Sequence, residues 1–250
     1  MDGHGPGILP CENETQCQVS RKSKEGKTLT YKLHIIQQPL QARACGSGQK
    51  SSADRRPVDP PPIVEMRIFE GDTEAEQKDI TFAMNGNYLL FAQLEQARKL
   101  APVRGQPDHK GPPVLTGTPV AGMVYLERPT RAGYFIFPDL SVRHEGKYRI
   151  VFSLFEEVKD AKDEDCIADH EKPIGWRNGY ISHRVEIRSQ PFNVYSAKKF
   201  PGLAESTPLS RMVADQGCRV RIRRDVRMRR RDTKPGKDWD GYDDEGGKMR

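Results

Sequence analysis

The stretch GYFIFPDLSVRHEGKYRIVFSLFEE, residues 133–157, decides the fold of this 250-residue chain. In its second half, large apolar side chains recur at every second position. They are Tyr148, Ile150, Phe152 and Leu154, and between them stand Lys147, Arg149, Val151 and Ser153. A period of two predicts a β-strand with one face in a hydrophobic core.

The residues just before this strand indicate the kind of sheet. In immunoglobulin-type sandwiches, a tyrosine near the start of a late strand hydrogen-bonds back to the preceding corner, two residues before a core cysteine. Tyr148 follows Gly146 by two residues and fits that tyrosine, while Ile150 takes the place of the cysteine. Gly146, Tyr148 and Ile150 therefore predict a mainly β, immunoglobulin-like sandwich.

Further strand-like segments lie on both sides of this stretch. They are LTYKLHIIQQP (residues 29–39), IVEMRIFEG (63–71), NYLLFAQLE (87–95), VAGMVYLE (120–127), YISHRVEIRS (180–189) and FNVYSAKKFPGL (192–203). Turn-forming residues separate them at intervals typical of a sandwich. In the fifth segment, His183 shares a face with Ile181, Val185 and Ile187, and we expect a satisfied core histidine.

One short helix is predicted near the C-terminus. Thr207 is the expected N-cap, Pro208 begins the first turn, and Gly217 lies past the end. We expect one domain over residues 27–231 with an inserted loop at about 156–178. Residues 1–26 are expected to be disordered, as is an acidic, glycine-containing tail over residues 232–250.

The composition argues against several classes of protein. No apolar run approaches the ~20 residues of a membrane span. The first residues lack the basic and apolar regions of a secretory signal. The five cysteines are scattered without a CxxC pair, so we expect reduced thiols and no zinc site.

No catalytic constellation is visible either. The stretch CGSGQKS resembles a phosphate loop, but Gln49 separates Gly48 from Lys50, whereas a P-loop needs lysine directly after glycine. Glu156 and Glu157 are read as an ordinary strand end. We therefore expect neither an enzyme nor a cofactor.

Positive charge is concentrated in one segment. Residues 219–231 carry a formal +7 and the whole chain +6, so the other residues sum to −1. Cys218, Val220 and Ile222 alternate with arginines, which predicts a strand with one apolar and one arginine face. Such a segment suits nucleic-acid contact, recognition by an import receptor, or a solvated edge strand.

A second basic group lies in predicted loops. Its members are Arg21, Lys22, Lys24, Lys27, Arg43, Lys50, Arg55 and Arg56. Loops at one end of a sandwich can converge on a nucleic-acid groove, so we expect these residues to meet there. Scattered surface charge is the alternative.

Four stretches together resemble the fungal velvet domain, and most of all the VeA group of that family. They are TYKLHIIQQP, ARACGSGQKSSADRRPVDPPPIVEMRIFEG, the stretch of residues 133–157, and FNVYSAKKFPGLAESTPLSRMVADQGCRVRIRRDVRMRRR. The resemblance implies a sandwich similar to the Rel/NF-κB DNA-binding domain. It also implies a transcriptional regulator that couples light to fungal development, sporulation and secondary metabolism.

The resemblance further implies partners and a location. These are a heterodimer with a VelB-like velvet protein, a complex with a LaeA-like methyltransferase, import by importin α, and DNA, bound alone or with the partner. We expect the protein in nucleus and cytoplasm, with nuclear enrichment in the dark. A free-standing, sequence-specific transcription factor is the competing hypothesis.

Two departures from the family pattern matter. Relatives have a basic stretch after QQP, whereas Leu40 and Gln41 remove positive charge here. The chain also stops at Arg250 without the family's usual long tail, so we expect a short form, a fragment or a partial gene model.

The candidate residues follow from these arguments. The nuclear-import candidates are Arg21, Lys22, Lys24, Lys27, Arg43, Arg227, Arg229, Arg230 and Arg231. The DNA-contact candidates are Arg43, Lys50, Arg55, Arg56, Arg219, Arg221, Arg223 and Arg224.

Overall fold

Fourteen strands and one α-helix are present in the computed structural model, which describes residues 14–46, 55–97, 113–166 and 181–223. The strands of the first half are β1 (Gln16–Lys22), β2 (Thr28–Gln37), β3 (Gln41–Arg43), β4 (Ile63–Glu70), β5 (Lys78–Asp79), β6 (Gly86–Gln96) and β7 (Leu115–Gly117). Those of the second half are β8 (Val120–Gly122), β9 (Val124–Leu126), β10 (Ala132–Ile136), β11 (Leu140–Val142), β12 (Gly146–Val158), β13 (Ile181–Arg188) and β14 (Phe192–Tyr195). The helix is α1 (Pro208–Asp215).

Two sheets pack face to face. The first has the order β1-β2-β4-β10-β9, with β5 added to β4. The second has the order β3-β14-β12-β6-β8, with β13 also on β12, and β7 and β11 form a separate pair. The protein is thus a mainly β, immunoglobulin-like sandwich, as the sequence predicted.

The core lies between the sheets and follows the predicted alternation. The apolar set of β12 is buried, and the matching set on β2 consists of Leu29, Tyr31, Leu33 and Ile35, each at most 2% exposed. Burying a side chain of this size contributes roughly 1.5–3 kcal/mol. The alternation therefore fixes which face of each sheet turns inward.

The predicted tyrosine corner is confirmed. The Tyr148 hydroxyl donates to the Glu145 carbonyl oxygen at 3.2 Å, and Ile150 is fully buried two residues later. Gly146 has φ +153°, and a Cβ there would lie 2.9 Å from the Tyr148 ring. The corner therefore requires glycine at this position, since the ring folds back over its backbone.

Helix α1 covers the outer face of the first sheet. The Thr207 Oγ1 accepts from the Ser210 backbone N–H at 3.0 Å, which confirms the predicted N-cap. Val213 is fully buried in a second apolar cluster with Ile63, Ala132 and Tyr134.

Two boundaries differ from the sequence prediction. Residues 14–26 were expected to be disordered, but they contain β1, which pairs with β2 over its whole length. The loop expected from residue 156 begins later, because β12 pairs with β6 as far as Val158. The polar side chains of β1 show no strand pattern in the sequence, although its backbone forms hydrogen bonds with β2. Residues 1–13, 167–178 and 232–250 lie outside the described residues.

Two further predictions were wrong. His183 is exposed rather than buried. The β12–β13 pairing shifts register between Leu154 and Phe155, so the first residues of β13 lie beyond the core. The His183 ring contacts the Phe155 ring edge-on. Residues 218–223 form no strand, although the apolar side chains of Cys218 and Val220 do pack on the second cluster.

Among the described residues, no helix is long and apolar enough to cross a membrane.

Candidate nucleic-acid interface

The long strand β12 separates two ends of the sandwich with different charge. It begins at Gly146 and ends at Val158, a distance of about 40 Å at the usual rise per residue. We call the end around Gly146, together with the segment 219–223 that runs from the β9 side to Asp59, the basic end; its basic residues are Arg43, Arg55, Arg56, Arg143, Lys147, Lys198, Lys199, Arg219, Arg221 and Arg223. We call the other the acid-rich end; its acidic residues include Glu25, Glu70, Asp72, Glu156, Glu157, Asp160, Asp163, Glu164 and Asp165.

The expected convergence of the second basic group was wrong. Lys22 pairs with Thr28 in the β1–β2 hairpin, and Cys166 donates its backbone N–H to the Lys22 carbonyl. These contacts place the Arg21–Lys27 group at the acid-rich end. Arg43, Arg55 and Arg56 lie at the basic end, because β2 must run the length of the sheet before β3 begins.

Backbone hydrogen bonds assemble the basic end around β11. The Cys45 N–H donates to the Val142 carbonyl at 3.0 Å, and the Gly46 N–H donates to the Arg143 carbonyl at 3.2 Å. On the same strand, the Val58 N–H donates to the Leu140 carbonyl at 2.7 Å. Residues far apart in sequence are thereby held side by side.

Two of the predicted DNA-contact arginines are held by carboxylates. Arg223 pairs with Asp59, which is 1% exposed and also accepts from the Ala204 N–H at 2.7 Å. Arg55 pairs with Asp139 at 2.7 Å. These arginines anchor the segments that carry them and have less positive charge to offer a ligand.

Three other candidates are open to solvent. Arg56, Arg219 and Arg221 are exposed and form no ion pair within the described part of the chain. Arg43 is half-buried on β3 opposite Tyr195. The remaining candidates lie outside the described residues; they are Lys50, Arg224, Arg227, Arg229, Arg230 and Arg231.

Sequence reasoning missed one arginine at this end. Arg143 lines a cavity of about 380 Å³ together with Gly46, His144, Tyr148 and Ser196. Its Nε is buried and finds no hydrogen-bond partner in the part of the chain that the structure describes. Its position at the start of the tyrosine corner was the available signal, since that turn must project side chains from the end of the sandwich.

At the acid-rich end, arginines are buried and neutralised. Glu156 is fully buried and accepts from Arg184 Nε at 2.6 Å, from the Tyr31 hydroxyl at 2.8 Å and from the Tyr88 hydroxyl at 3.0 Å. Arg21 Nη2 lies 3.4 Å from Glu156, and its side chain is only 10% exposed. Asp165 pairs with both Arg21 and Arg184, so the four formal charges cancel.

This buried cluster was also missed. Glu156 has the same parity as Phe152 and Leu154, so the alternation already placed its carboxylate on the core face. Burial, followed by the Glu156 charge, raises the pKa of both Tyr31 and Tyr88 well above the usual value for tyrosine. Both hydroxyls therefore stay protonated and donate.

The other import candidates near β1 are more accessible than Arg21. Lys22 is exposed. Lys24 pairs with Glu164, and Lys27 lies between Glu25 and Glu70, yet each lysine side chain is 44% exposed.

Within residues 14–46, 55–97, 113–166 and 181–223, no group of three His, Cys, Asp or Glu side chains could hold a metal ion. The cysteines described there are free: Cys17, Cys45, Cys166 and Cys218.

Comparison with known proteins identifies the family. The velvet factor model matches residues 31–106 and 97–226. The chain is 63% identical over 238 residues to the developmental and secondary metabolism regulator veA of Dothistroma septosporum, covering 95% of this chain and 38% of the relative. It is 62% identical over 241 residues to the developmental and secondary metabolism regulator MVE1 of Zymoseptoria tritici, covering 95% of this chain and 92% of the relative.

A third relative is the developmental and secondary metabolism regulator VEL1 of Cochliobolus heterostrophus, 64% identical over 239 residues, with 94% of this chain and 39% of the relative covered. The chain spans about two fifths of the Dothistroma and Cochliobolus relatives and most of the Zymoseptoria one. On both the model match and these identities, the chain belongs to the velvet family.

Proposed function

We propose that this chain regulates fungal development and secondary metabolism by contacting DNA with its basic end. The relatives' names support the regulatory role, and the exposed guanidinium groups of Arg56, Arg219 and Arg221, which form no ion pair within the described residues, carry the DNA contact. Exposed guanidinium groups without a protein carboxylate suit phosphate oxygens, which they contact in bidentate geometry.

The contact would use the exposed arginines first. Arg56, Arg219 and Arg221 supply charge, while the Asp59–Arg223 pair fixes the segment that presents two of them. Such a surface makes affinity depend steeply on salt, because phosphate contacts release counterions. Recognition of a particular DNA sequence requires additional side chains that reach the base edges in a groove.

The proposal includes partners and location as the family resemblance implies them. A VelB-like velvet protein shares the DNA contact in a heterodimer, a LaeA-like methyltransferase joins in the nucleus, and importin α carries the chain there in the dark. Light then acts on development through nuclear abundance.

One experiment tests the DNA contact. The chain is co-purified with a VelB-like partner, and each protein and the pair are titrated against a DNA duplex and its scrambled form. Specific binding by the pair alone supports a regulatory subunit. Specific binding by this chain alone, with a steep salt slope, supports the free-standing transcription factor, which the exposed arginines favour as second candidate. No binding by either contradicts both.

Import is tested separately. Replacing Arg227, Arg229, Arg230 and Arg231 with alanine should lower nuclear fluorescence of the tagged protein in the dark. A parallel variant replaces Lys22, Lys24 and Lys27, the other accessible import candidates, and shows which of the two clusters carries import. Unchanged nuclear signal in the first variant would refute import through this cluster.

A further inference from the structure

An apolar patch lies on one edge of the sandwich, with the Arg131 guanidinium over one of its rings at 4.3 Å. It consists of Phe82, Leu89, Val120, Val124 and Tyr125, which are 38–44% exposed. The rings of Phe82 and Tyr125 are 5.1 Å apart, and Leu89 and Tyr125 line one groove of about 310 Å³. Exposed apolar side chains that cluster in this way mark protein interaction sites.

The patch includes a short strand edge that has no charge or proline of its own. Within the described residues, β9 pairs only with β10, and its three residues, VYL, include neither charge nor proline. The opposite edge strand of the same sheet, β1, contains Arg21 and Lys22. Natural sheets commonly place charge or proline on free edges to prevent unwanted pairing. The β9 edge is therefore suited to pairing.

A groove runs beside this edge. It has a volume of about 440 Å³, and its lining includes Val124, Leu126, Ile136 and Cys218, with Arg219 also present. Gln216 Oε1 accepts from the Glu127 and Arg128 N–H groups, each at 3.1 Å, and ties the segment after α1 to the end of β9. The groove therefore has an apolar lining with a cationic residue at the C-terminal segment.

We propose that an extended segment of a protein partner binds here as an added strand beside β9. In this bound segment, apolar side chains at alternate positions contact the groove. An acidic side chain of the segment pairs with Arg219. Strand addition draws affinity from main-chain hydrogen bonds and specificity from alternate side-chain pockets. The charge of Arg219 selects an acidic-apolar segment over a basic one. This site shares Arg219 with the proposed DNA contact, whereas its β9 residues take no part in that contact.

The test uses a defined probe, a fluorescein-labelled twelve-residue peptide of alternating valine and threonine with two glutamates at one end. A matched peptide has two threonines replaced by proline, which removes main-chain donors. Fluorescence anisotropy with the full chain should show at least tenfold tighter binding of the first peptide. Equal binding of the two peptides would overturn the proposal.

Two variants locate the binding. Val124→Lys places a charge on the β9 edge and should weaken peptide binding at least tenfold, and Tyr125→Lys serves if Val124→Lys fails to fold. The control is Ile181→Lys, also an exposed apolar side chain, on β13; it should change binding less than twofold. Peptide binding that survives both β9 variants would overturn the assignment.

Two parallel measurements separate the alternatives. If light scattering shows a dimer that Val124→Lys converts to monomer, the occupant is a second copy of this chain, and the partner-strand proposal fails. DNA titration of Val124→Lys should show no loss of affinity. Loss of peptide binding with intact DNA binding thus distinguishes this proposal from the proposed function.

Discussion

Arginines at the two ends of the sandwich are in opposite states. At the acid-rich end, Arg21 and Arg184 are at most 10% exposed and share Glu156 and Asp165. At the basic end, Arg219 and Arg221 are exposed and pair with no carboxylate within the described residues. Arg21, in RKSK, and Arg219 and Arg221, in RVRIRR, look alike in sequence, as members of short basic runs. The difference teaches that a basic run signals a ligand surface only where the fold brings no acid to it.

The buried cluster ties the two sheets together. Tyr31 and Arg21 belong to the first sheet, whereas Glu156, Tyr88 and Arg184 belong to the second. Among the described residues, Arg184 Nη2 and Asp165 Oδ1 have no hydrogen-bond partner, although Asp165 Oδ1 is 3.2 Å from Arg21 Nη1. The cluster therefore depends on charge neutrality, and removal of one member leaves the others buried and uncompensated.

The largest effect is expected from Glu156→Gln. This change keeps the shape but leaves two buried guanidinium groups with a single carboxylate, so the free energy of unfolding should fall by about 3–5 kcal/mol. Denaturant unfolding measures it. The control is Glu157→Gln, a half-buried neighbour that accepts from Asn87 at 2.8 Å, with an expected loss under about 1 kcal/mol. Equal losses of unfolding free energy in the two variants would show that the buried cluster contributes no more to stability than a surface hydrogen bond.

Alkaline pH should weaken the acid-rich end next. Because the folded-state pKa values of Tyr31 and Tyr88 are raised, the folded chain keeps protons that the unfolded chain releases above about pH 10. Their contribution is complete below pH 10 and is lost as pH rises further, by about 1.4 kcal/mol per pH unit for each tyrosine. Tyr88→Phe should make this decline shallower in unfolding measured from pH 9 to 11.5. An unchanged slope would contradict the raised pKa.

At the basic end, Arg219→Ala with Arg221→Ala should weaken DNA binding roughly tenfold, or about 1.4 kcal/mol. The slope of log K against log salt should also become shallower by about 1.8, since each lost phosphate contact removes about 0.9. Titration at several salt concentrations measures both quantities. The charge-matched control is Lys22→Ala with Lys78→Ala, two exposed lysines at the acid-rich end. If both pairs weaken binding equally, net charge rather than location is responsible.

The smallest effect is expected at the tyrosine corner. Tyr148→Phe removes the hydrogen bond to the Glu145 carbonyl and should cost about 1 kcal/mol of unfolding free energy. Tyr195→Phe is the control, because its hydroxyl makes no hydrogen bond in the part of the chain that the structure describes. A loss of unfolding free energy in the control as large as in Tyr148→Phe would show that the Tyr148 hydrogen bond does not stabilise the basic end.

Sequence reasoning succeeded where the signal was local. The alternation in β2 and β12, the corner at Tyr148 and the cap at Thr207 each depend on residues within a few positions of one another. It failed at β1, whose polar side chains hide a paired strand, and at His183, where a register shift moves the strand end past the core. It also read Glu156 as a strand end, although parity placed it on the core face.

The sequence by itself determined the sandwich, its inward faces, the helix cap and the family, because side-chain period and turn geometry act over short stretches. Only the tertiary structure decided which charged side chains pair with one another within the protein. Arg21 meets Glu156 across 135 positions, and Arg223 meets Asp59 across 164. No local pattern predicts such pairs, since they depend on where whole strands end. The exposed arginines of the basic end are among those left outside such pairs.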